Sequence, residues 1–365
     1  MDSLQLRITL NKFNLTLVFK ARHLITVYKH FFVIICPLLL PSFVLANEAS
    51  ESSNAYRIQF DNDLLARGGK SDQDYTGGIS VTYNENTHSN NLISLQNLRN
   101  SVDGFLFLKP QNSTQSTSSQ LGALFFTPKA KTSTEIDRSE RPYASLIFLS
   151  NGAMQVEKDH VTFSSLTLGL LGSSFASELH KSIHTITGSE LPLGYRNQIS
   201  AGGEPTAKYT LASQKLLSSG QNSDLKISYQ TNVGYLTEAS AAMSFRLGNM
   251  STPWWGFNPE LNDYIGNATP VFKFNNKSNE FYFFGGSRIN ARIYNAFLQG
   301  QYRSSAHKIS ASQIEPILFH TWFGLAGNVS NASVTYTLNY QTKEVRSGKA
   351  ARNHFWGGIQ ASFDF

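Results

Sequence analysis

The sequence is short of cysteine, of long apolar runs and of charge of one sign. Cys36 is the single cysteine in 365 residues. It lies inside an N-terminal segment that reads as removable, so the exported chain is expected to have no disulfide and no thiol chemistry. Ile35 before it is bulky and the apolar run continues after it, which argues against a lipoprotein cysteine. Beyond that segment no stretch reaches the roughly eighteen consecutive apolar residues of a membrane-crossing helix. G-x-S-x-G and H-E-x-x-H are both missing. A serine nucleophile on a sharp turn and a zinc-protease helix therefore have no support.

What is present begins with a targeting signal. Arg7, Lys12, Lys20, Arg22 and Lys29 stand against one acid, Asp2, in the first thirty residues. The apolar run Phe31 to Leu40 follows, then Val44-Leu45-Ala46 before the polar Asn47-Glu48. A basic region, a short apolar core and a small-residue end form the secretory pattern. It predicts a signal peptide over 1–46 and one domain over 47–365. The chain has 31 Lys and Arg and 25 Asp and Glu. The signal takes five and one of them, leaving 26 against 24. Basicity thus belongs to the signal, and no nucleic-acid partner is expected.

After the signal, apolar and polar residues alternate in segments of about ten, separated by polar loops. The segments are 55–62, 77–85, 119–127, 143–157, 161–172, 206–217, 224–235, 237–248, 279–293, 316–329, 332–345 and 353–365. Low charge, many Phe, Tyr and Gly, and an export signal together predict an all-β fold, a transmembrane antiparallel β-barrel of about twelve strands. A β-sandwich would alternate similarly. The last segment favours the barrel: Phe355, Gly357, Ile359, Ala361, Phe363 and Phe365 share one face, and Gln360, Ser362 and Asp364 the other. Such a strand ending in Phe resembles the signal read by the outer-membrane assembly machinery. Trp254, Trp255, Trp322 and Trp356 are candidates for interfacial girdles, or for ordinary packing.

Two segments break the rhythm. Residues 86–118 are rich in Asn, Ser and Gln and read as a long loop. Residues 174–187 have helical spacing, with Phe175, Leu179, Ile183 and Ile186 near one stripe and Ser174 as N-cap. This helix is expected at the extracellular rim or dipping into the lumen.

Oxygen-bearing side chains gather where the first two strands meet their loop: Asp61-Asn62-Asp63 and Asp72-Gln73-Asp74-Tyr75-Thr76-Gly77-Gly78. Such a set suits a hard cation such as calcium; equally, Asn, Asp and Gly are turn residues. On the helix, His180 and His184 are one turn apart, and Glu190 follows just past Gly188. A His beside a carboxylate can act as a general base. An idle surface pair, or two zinc ligands lacking a third, would look the same.

In order, Asn62-Asp63, Asp74-Tyr75-Thr76-Gly77-Gly78, Phe126-Thr127-Pro128, Arg141-Pro142-Tyr143-Ala144, His184 with Gly188 and Glu190, and Asn197-Gln198-Ile199 resemble the LpxR family, outer-membrane lipid A 3′-O-deacylases. The resemblance runs from about residue 55 to the C-terminus. It implies a twelve-stranded barrel in the bacterial outer membrane, a calcium-dependent carboxylic ester hydrolase of lipid metabolism, and lipid A of lipopolysaccharide as substrate. It also implies that the 3′-acyloxyacyl group is the one removed. By the same resemblance His184 is the base that activates water and Glu190 its support. Asn62, Asp63 and Thr76 match further site residues of the family; chemically, calcium held through Asp63 could polarise the ester carbonyl, Asn62 could donate to the oxyanion, and Thr76 could order the Asn62 and Asp63 side chains or hold the water. The family lysine corresponds to Lys129 or Lys131, which with Arg141 would contact a lipid A phosphate. A family Gln one turn before the base is His180 here. A barrel phospholipase acting on glycerophospholipids and a non-catalytic channel or adhesion barrel are the competing functions.

Overall fold

The computed structural model describes residues 4–10, 13–19, 55–67, 73–85, 95–106, 108, 114–271, 280–329 and 332–364. These residues form two units, Met1–Glu51 with Ser182–Glu190, and Ser52–Lys181 with Leu191–Phe365. The first contains a hairpin of Leu4–Leu10 with Phe13–Phe19 and the C-terminal end of a helix. The apolar core and the cleavage site of the expected signal peptide lie outside the described residues.

The second unit is a closed barrel of twelve strands. They are β1 (Ala55–Asn62), β2 (Asp74–Glu85), β3 (Thr114–Thr127), β4 (Ala144–Glu157), β5 (His160–Leu171) and β6 (Glu204–Ser219), then β7 (Ser223–Gly234), β8 (Leu236–Asn249), β9 (Phe281–Asn295), β10 (Ile317–Val329), β11 (Ala332–Gln341) and β12 (His354–Asp364). Every neighbour is antiparallel, and β12 closes on β1 with Gly357 opposite Asn62 and Ile359 opposite Phe60. All twelve alternating segments are strands. The two-residue period has its cause in closure: one face meets lipid and the other the lumen. Leu149, Leu168, Val233, Met243, Ile289 and Phe323 are exposed apolar side chains at outward strand positions. No described helix is long and apolar enough to cross a membrane; the strands do so.

The lumen is filled. The segment 250–271, between β8 and β9, folds into it. Its Asp263 pairs with Arg288 on β9 at 2.8 Å and with Lys208 on β6 at 3.3 Å. The Gly266 carbonyl accepts from Ser150 on β4 and Thr167 on β5, each at 3.0 Å. Arg57 on β1 donates to the Thr269 carbonyl at 2.6 Å. Buried polar groups on so many strands need partners, and this segment supplies them. Gly152 permits the approach, since a Cβ there would come within 2.3 Å of the Ala268 carbonyl oxygen.

The tryptophans are not a girdle. Trp322 and Trp356 are buried, on the lumen face of β10 and β12. Trp254 and Trp255 pack on the Met154, Phe163 and Leu261 cluster. The segment expected as a loop over 86–118 also differs. Leu95–Phe105 is a helix, α2, and Thr114 onward already belongs to β3; the rest of that segment lies largely outside the described residues. A shorter helix, α1 (Leu64–Arg67), follows β1. The helix expected at 174–187 is α3, Ser174–Thr187, and Ala296–Gln299 forms α4.

Candidate functional site

The site begins with a bulge. Between β2 and β3 the register slips at Thr76, so two residues of β2 face one of β3. Tyr75 lies on the lumen side, against Tyr264, and a Cβ on Gly78 would meet Ile265 of the same lumen segment. Thr76 and Gly77 therefore both turn to the outer face. Thr76 is fully buried and its Oγ1 lies 2.7 Å from Thr127 Oγ1 on β3.

On β1 the alternation sends Asp61 inward, where its carboxylate accepts from Tyr75 at 3.2 Å. Asn62 is turned outward, opposite Gly77. Its Oδ1 accepts from the Leu64 amide at 2.8 Å, so its Nδ2 is left as the donor end. A Cβ on Gly77 would stand 3.3 Å from that Nδ2 and 2.4 Å from the Asp61 carbonyl oxygen. Only glycine leaves the room. Asp63, next along, is 2% exposed. Its Oδ2 accepts from the Gln73 amide at 2.9 Å and its own amide donates to the Thr76 carbonyl at 3.3 Å. Asn62, Asp63 and Thr76 are thus brought together at one end of the wall.

The N-terminal part of α3 lies beside this end, on the outside of the wall rather than in the lumen. His180 stacks on the outward Phe125 ring, 4.4 Å between centroids and 7° between planes. Its Nδ1 is 2.7 Å from the Tyr195 hydroxyl. Burial, with Tyr143 nearby, holds the Tyr195 hydroxyl well above the ordinary tyrosine range, so it stays protonated.

In the other unit, α3 ends at Gly188 with φ +69°, and the Ser189 amide donates to the His184 carbonyl at 2.9 Å. This left-handed glycine end turns the chain back. His184 is buried, and its Nδ1 lies 2.5 Å from the main-chain carbonyl oxygen of Glu190. The sequence pattern pointed to the Glu190 carboxylate. That side chain is exposed, and the carbonyl takes the place beside the ring. A carbonyl can only accept, so Nδ1 carries the proton and Nε2 the lone pair.

The cationic candidates separate. Lys129 is exposed and Lys131 buried; the Lys131 carbonyl accepts from the Tyr143 hydroxyl at 2.5 Å and the Leu193 amide at 2.9 Å. Arg141 is buried over the Phe126 ring, 4.6 Å from its centroid. It stands 3.6 Å from Glu344 and 4.0 Å from Asp74. Arg352 joins the same cluster, donating from Nε to Asp74 at 2.8 Å and from Nη1 to Glu140 at 2.9 Å. Burial pushes the Glu344 carboxyl up, but His354, Arg292 and Arg141 outweigh it and bring it down to about 2. Arg141 therefore faces two acids of the chain itself, Glu344 and Asp74.

For calcium, the local donors are hard oxygens: the Asp63 carboxylate and neighbouring amide and carbonyl groups. Among the described residues no group of three or more His, Cys, Asp or Glu is arranged to hold a metal ion. Asp72 lies outside them. The donor chemistry fits one buried carboxylate with neutral oxygens.

Gly77 and Thr127 stand in motifs read from the sequence, but neither had a role assigned there. The signal was available: two glycines inside a strand pattern mark a bulge or a close backbone approach.

A family model described as "Outer membrane protein LpxR" matches residues 31–365. The chain belongs to the LpxR family. LpxR proteins reside in the outer membrane, and the filled twelve-stranded barrel is placed there with them. Among solved structures, LpxR from Salmonella typhimurium superposes with a TM-score of 0.62 at 14% identity, covering 85% of this chain and 100% of that one. At that identity the likeness shows a shared fold. The β domain of the Bordetella autotransporter BrkA, at a TM-score of 0.41 and 6% identity over 86% of this chain and 100% of that one, adds nothing further. No curated protein sequence matches. Membership in the LpxR family supports a lipid A deacylase.

Proposed function

We propose that the protein is a calcium-dependent lipid A 3′-O-deacylase, with His184 as the base that activates water. The observation that carries this reading is the meeting of Asn62 and Thr76 on the outer face of the wall, beside the buried Asp63, achieved by a bulge at Thr76 and by the room that Gly77 leaves. A site on the outside of a barrel is reached from lipid, not from a channel. The filled lumen likewise speaks against a transport pore.

His184, with its Nδ1 proton given to the Glu190 carbonyl, accepts a proton from water at Nε2. The water oxygen adds to the carbonyl carbon of the 3′ ester. Asn62 Nδ2 donates to the oxyanion, a role worth roughly 3 to 4 kcal/mol where such donors are removed. The Thr76–Thr127 hydroxyl pair fixes the bulge and so the strand that faces Asn62. The carbon–oxygen bond to the sugar then breaks, and His184 returns its proton to the leaving alkoxide. Calcium bound through Asp63 would supply Lewis-acid polarisation of the ester carbonyl. Lys131, buried at the rim, is the better candidate than Lys129 for a lipid A phosphate, because its ammonium would be less hydrated.

The test compares lipid classes. Purified protein in detergent is given lipid A in one arm and glycerophospholipid in the other, and products are weighed. Loss of one acyloxyacyl unit from lipid A alone, greatly slowed by Asn62→Ala, supports the reading. Fatty acid released from the phospholipid alone would replace it with a barrel phospholipase.

A further inference from the structure

Helix α2 is arranged inside out. Its buried side chains are Arg99 and Asp103. Its exposed ones include Phe105 at 81% and Leu98 at 49%, with Leu106 just beyond its end at 41%. In water this arrangement costs twice, by exposing apolar surface and by burying charge.

The polar face is turned to the outside of the barrel. Ser150 and Thr167 bond to Gly266 and Lys208 to Asp263, all in the lumen. Strand alternation therefore puts Asn151, Ser164 and Tyr209 on the outer face. Those three are the partners of α2. Arg99 donates to Asn151 at 2.8 Å and to Ser164 at 3.1 Å, and pairs with Asp103 at 2.6 Å. Tyr209 donates to Asp103 at 2.6 Å. A polar patch on a lipid-facing wall is costly. Here β4, β5 and β6 carry one, and α2 covers it.

The other flanks of α2 differ from each other. Leu98, Val102 and Phe105 follow the i, i+4, i+7 spacing of one stripe. Asn97, Asn100, Ser101 and Gly104, all exposed, form the opposite one. One flank is apolar, one polar, and the third is fastened to the wall. That is the division met by a helix lying at the boundary between hydrocarbon and headgroups.

We infer that α2 is an interfacial helix, pinned to the outer wall through Arg99 and Asp103, whose Leu98–Phe105 flank binds membrane lipid at the edge of the bilayer. Its occupant is lipid because the surface on either side is already the lipid-facing wall. The placement is independent of the deacylase chemistry, since α2 leaves from the opposite end of the barrel to Asn62.

Nitroxide labels on single cysteines at Leu98, Phe105, Asn97 and Ser101, in a Cys36→Ser background, test this in phosphatidylcholine–phosphatidylglycerol vesicles. All four sites are exposed, so the labels leave the Arg99–Asp103 anchor intact. Oxygen should relax the labels at 98 and 105 severalfold more than a water-soluble nickel complex does, with the reverse at 97 and 101. Nickel preference at all four would put α2 in water and overturn the inference. Oxygen preference at all four would overturn the boundary placement. Protection of 98 and 105 from both would mean that protein, a second copy included, covers the flank instead of lipid.

Discussion

Replacing Gly77 by alanine tests the site through a residue with no functional group. The added Cβ would lie 2.4 Å from the Asp61 carbonyl oxygen and 3.3 Å from Asn62 Nδ2. A carbon and an oxygen settle no closer than roughly 3.2 to 3.5 Å, so β1 and β2 must part by about 1 Å. The nearest obstacle is backbone, which cannot swing aside as a side chain would. The outward Asn62 moves with its strand. A misplacement of about 1 Å costs on the order of 100-fold in rate, or about 2.7 kcal/mol. Overpacking also costs about 1 to 3 kcal/mol of stability, which a barrel closed by twelve strand pairs tolerates. The assay is initial-rate deacylation of lipid A, beside the heat-dependent gel shift that reports a folded barrel. Gly77→Ala is expected to stay folded and to lose kcat with little change in KM. In the Asn62→Ala background the same change should cost little more, because both act on one donor. A folded Gly77→Ala protein with parental kcat would refute the assignment of Asn62 as the oxyanion donor.

Three other outcomes follow from the geometry. Glu190→Gln should reduce the rate less than tenfold, since the ring is held by a carbonyl that glutamine keeps; a loss of several thousandfold in the same assay would restore the carboxylate as the support. Glu344, brought from 4.5 down to about 2, binds its proton less readily folded than unfolded. It therefore stabilises above pH 4.5, by on the order of 3 kcal/mol, and loses this as pH falls from 4.5 towards 2. Thermal melts from pH 7 to pH 3 should show that slope, and Glu344→Gln should flatten it. Asp263→Ala leaves Lys208 and Arg288 without their shared carboxylate in the lumen, which should cost about 3 to 5 kcal/mol, read as a lower temperature for loss of the folded gel band.

The strands were readable because closure in lipid forces every one of them into a period of two, and a single sequence carries that period. α3 was readable for a similar reason, with an apolar stripe and a terminal glycine, although Ser174, read as its N-cap, is the first residue of the helix. α2 was not: Asn97, Asn100, Ser101 and Gly104 are poor helix formers, and its buried face is Arg99 and Asp103, the reverse of the expected pattern. The lumen segment 250–271 has no period because it bonds to many strands in turn, each through a different residue. In the candidate site, spacing alone left Asn62, Asp63, Thr76 and His184 open to bland readings, and the order of the motifs, through the family resemblance, singled them out. Gly77 and Gly78 signalled a bulge or a close approach, but the place of the slip at Thr76 was not legible, because a slip of register is a property of two strands together. Nor was the choice between the Glu190 carboxylate and its carbonyl, which depends on how the chain turns at Gly188.

We propose that this barrel hydrolyses the 3′ ester of lipid A with His184 as base and calcium as its ion. This is tested most directly by the mass of lipid A after incubation with the protein, with calcium or with chelator, for the parent and for His184→Ala. Loss of one acyloxyacyl unit by the parent in calcium alone, and none by His184→Ala, is the expected result. An unchanged mass from parent protein shown to be folded, in calcium, would contradict it.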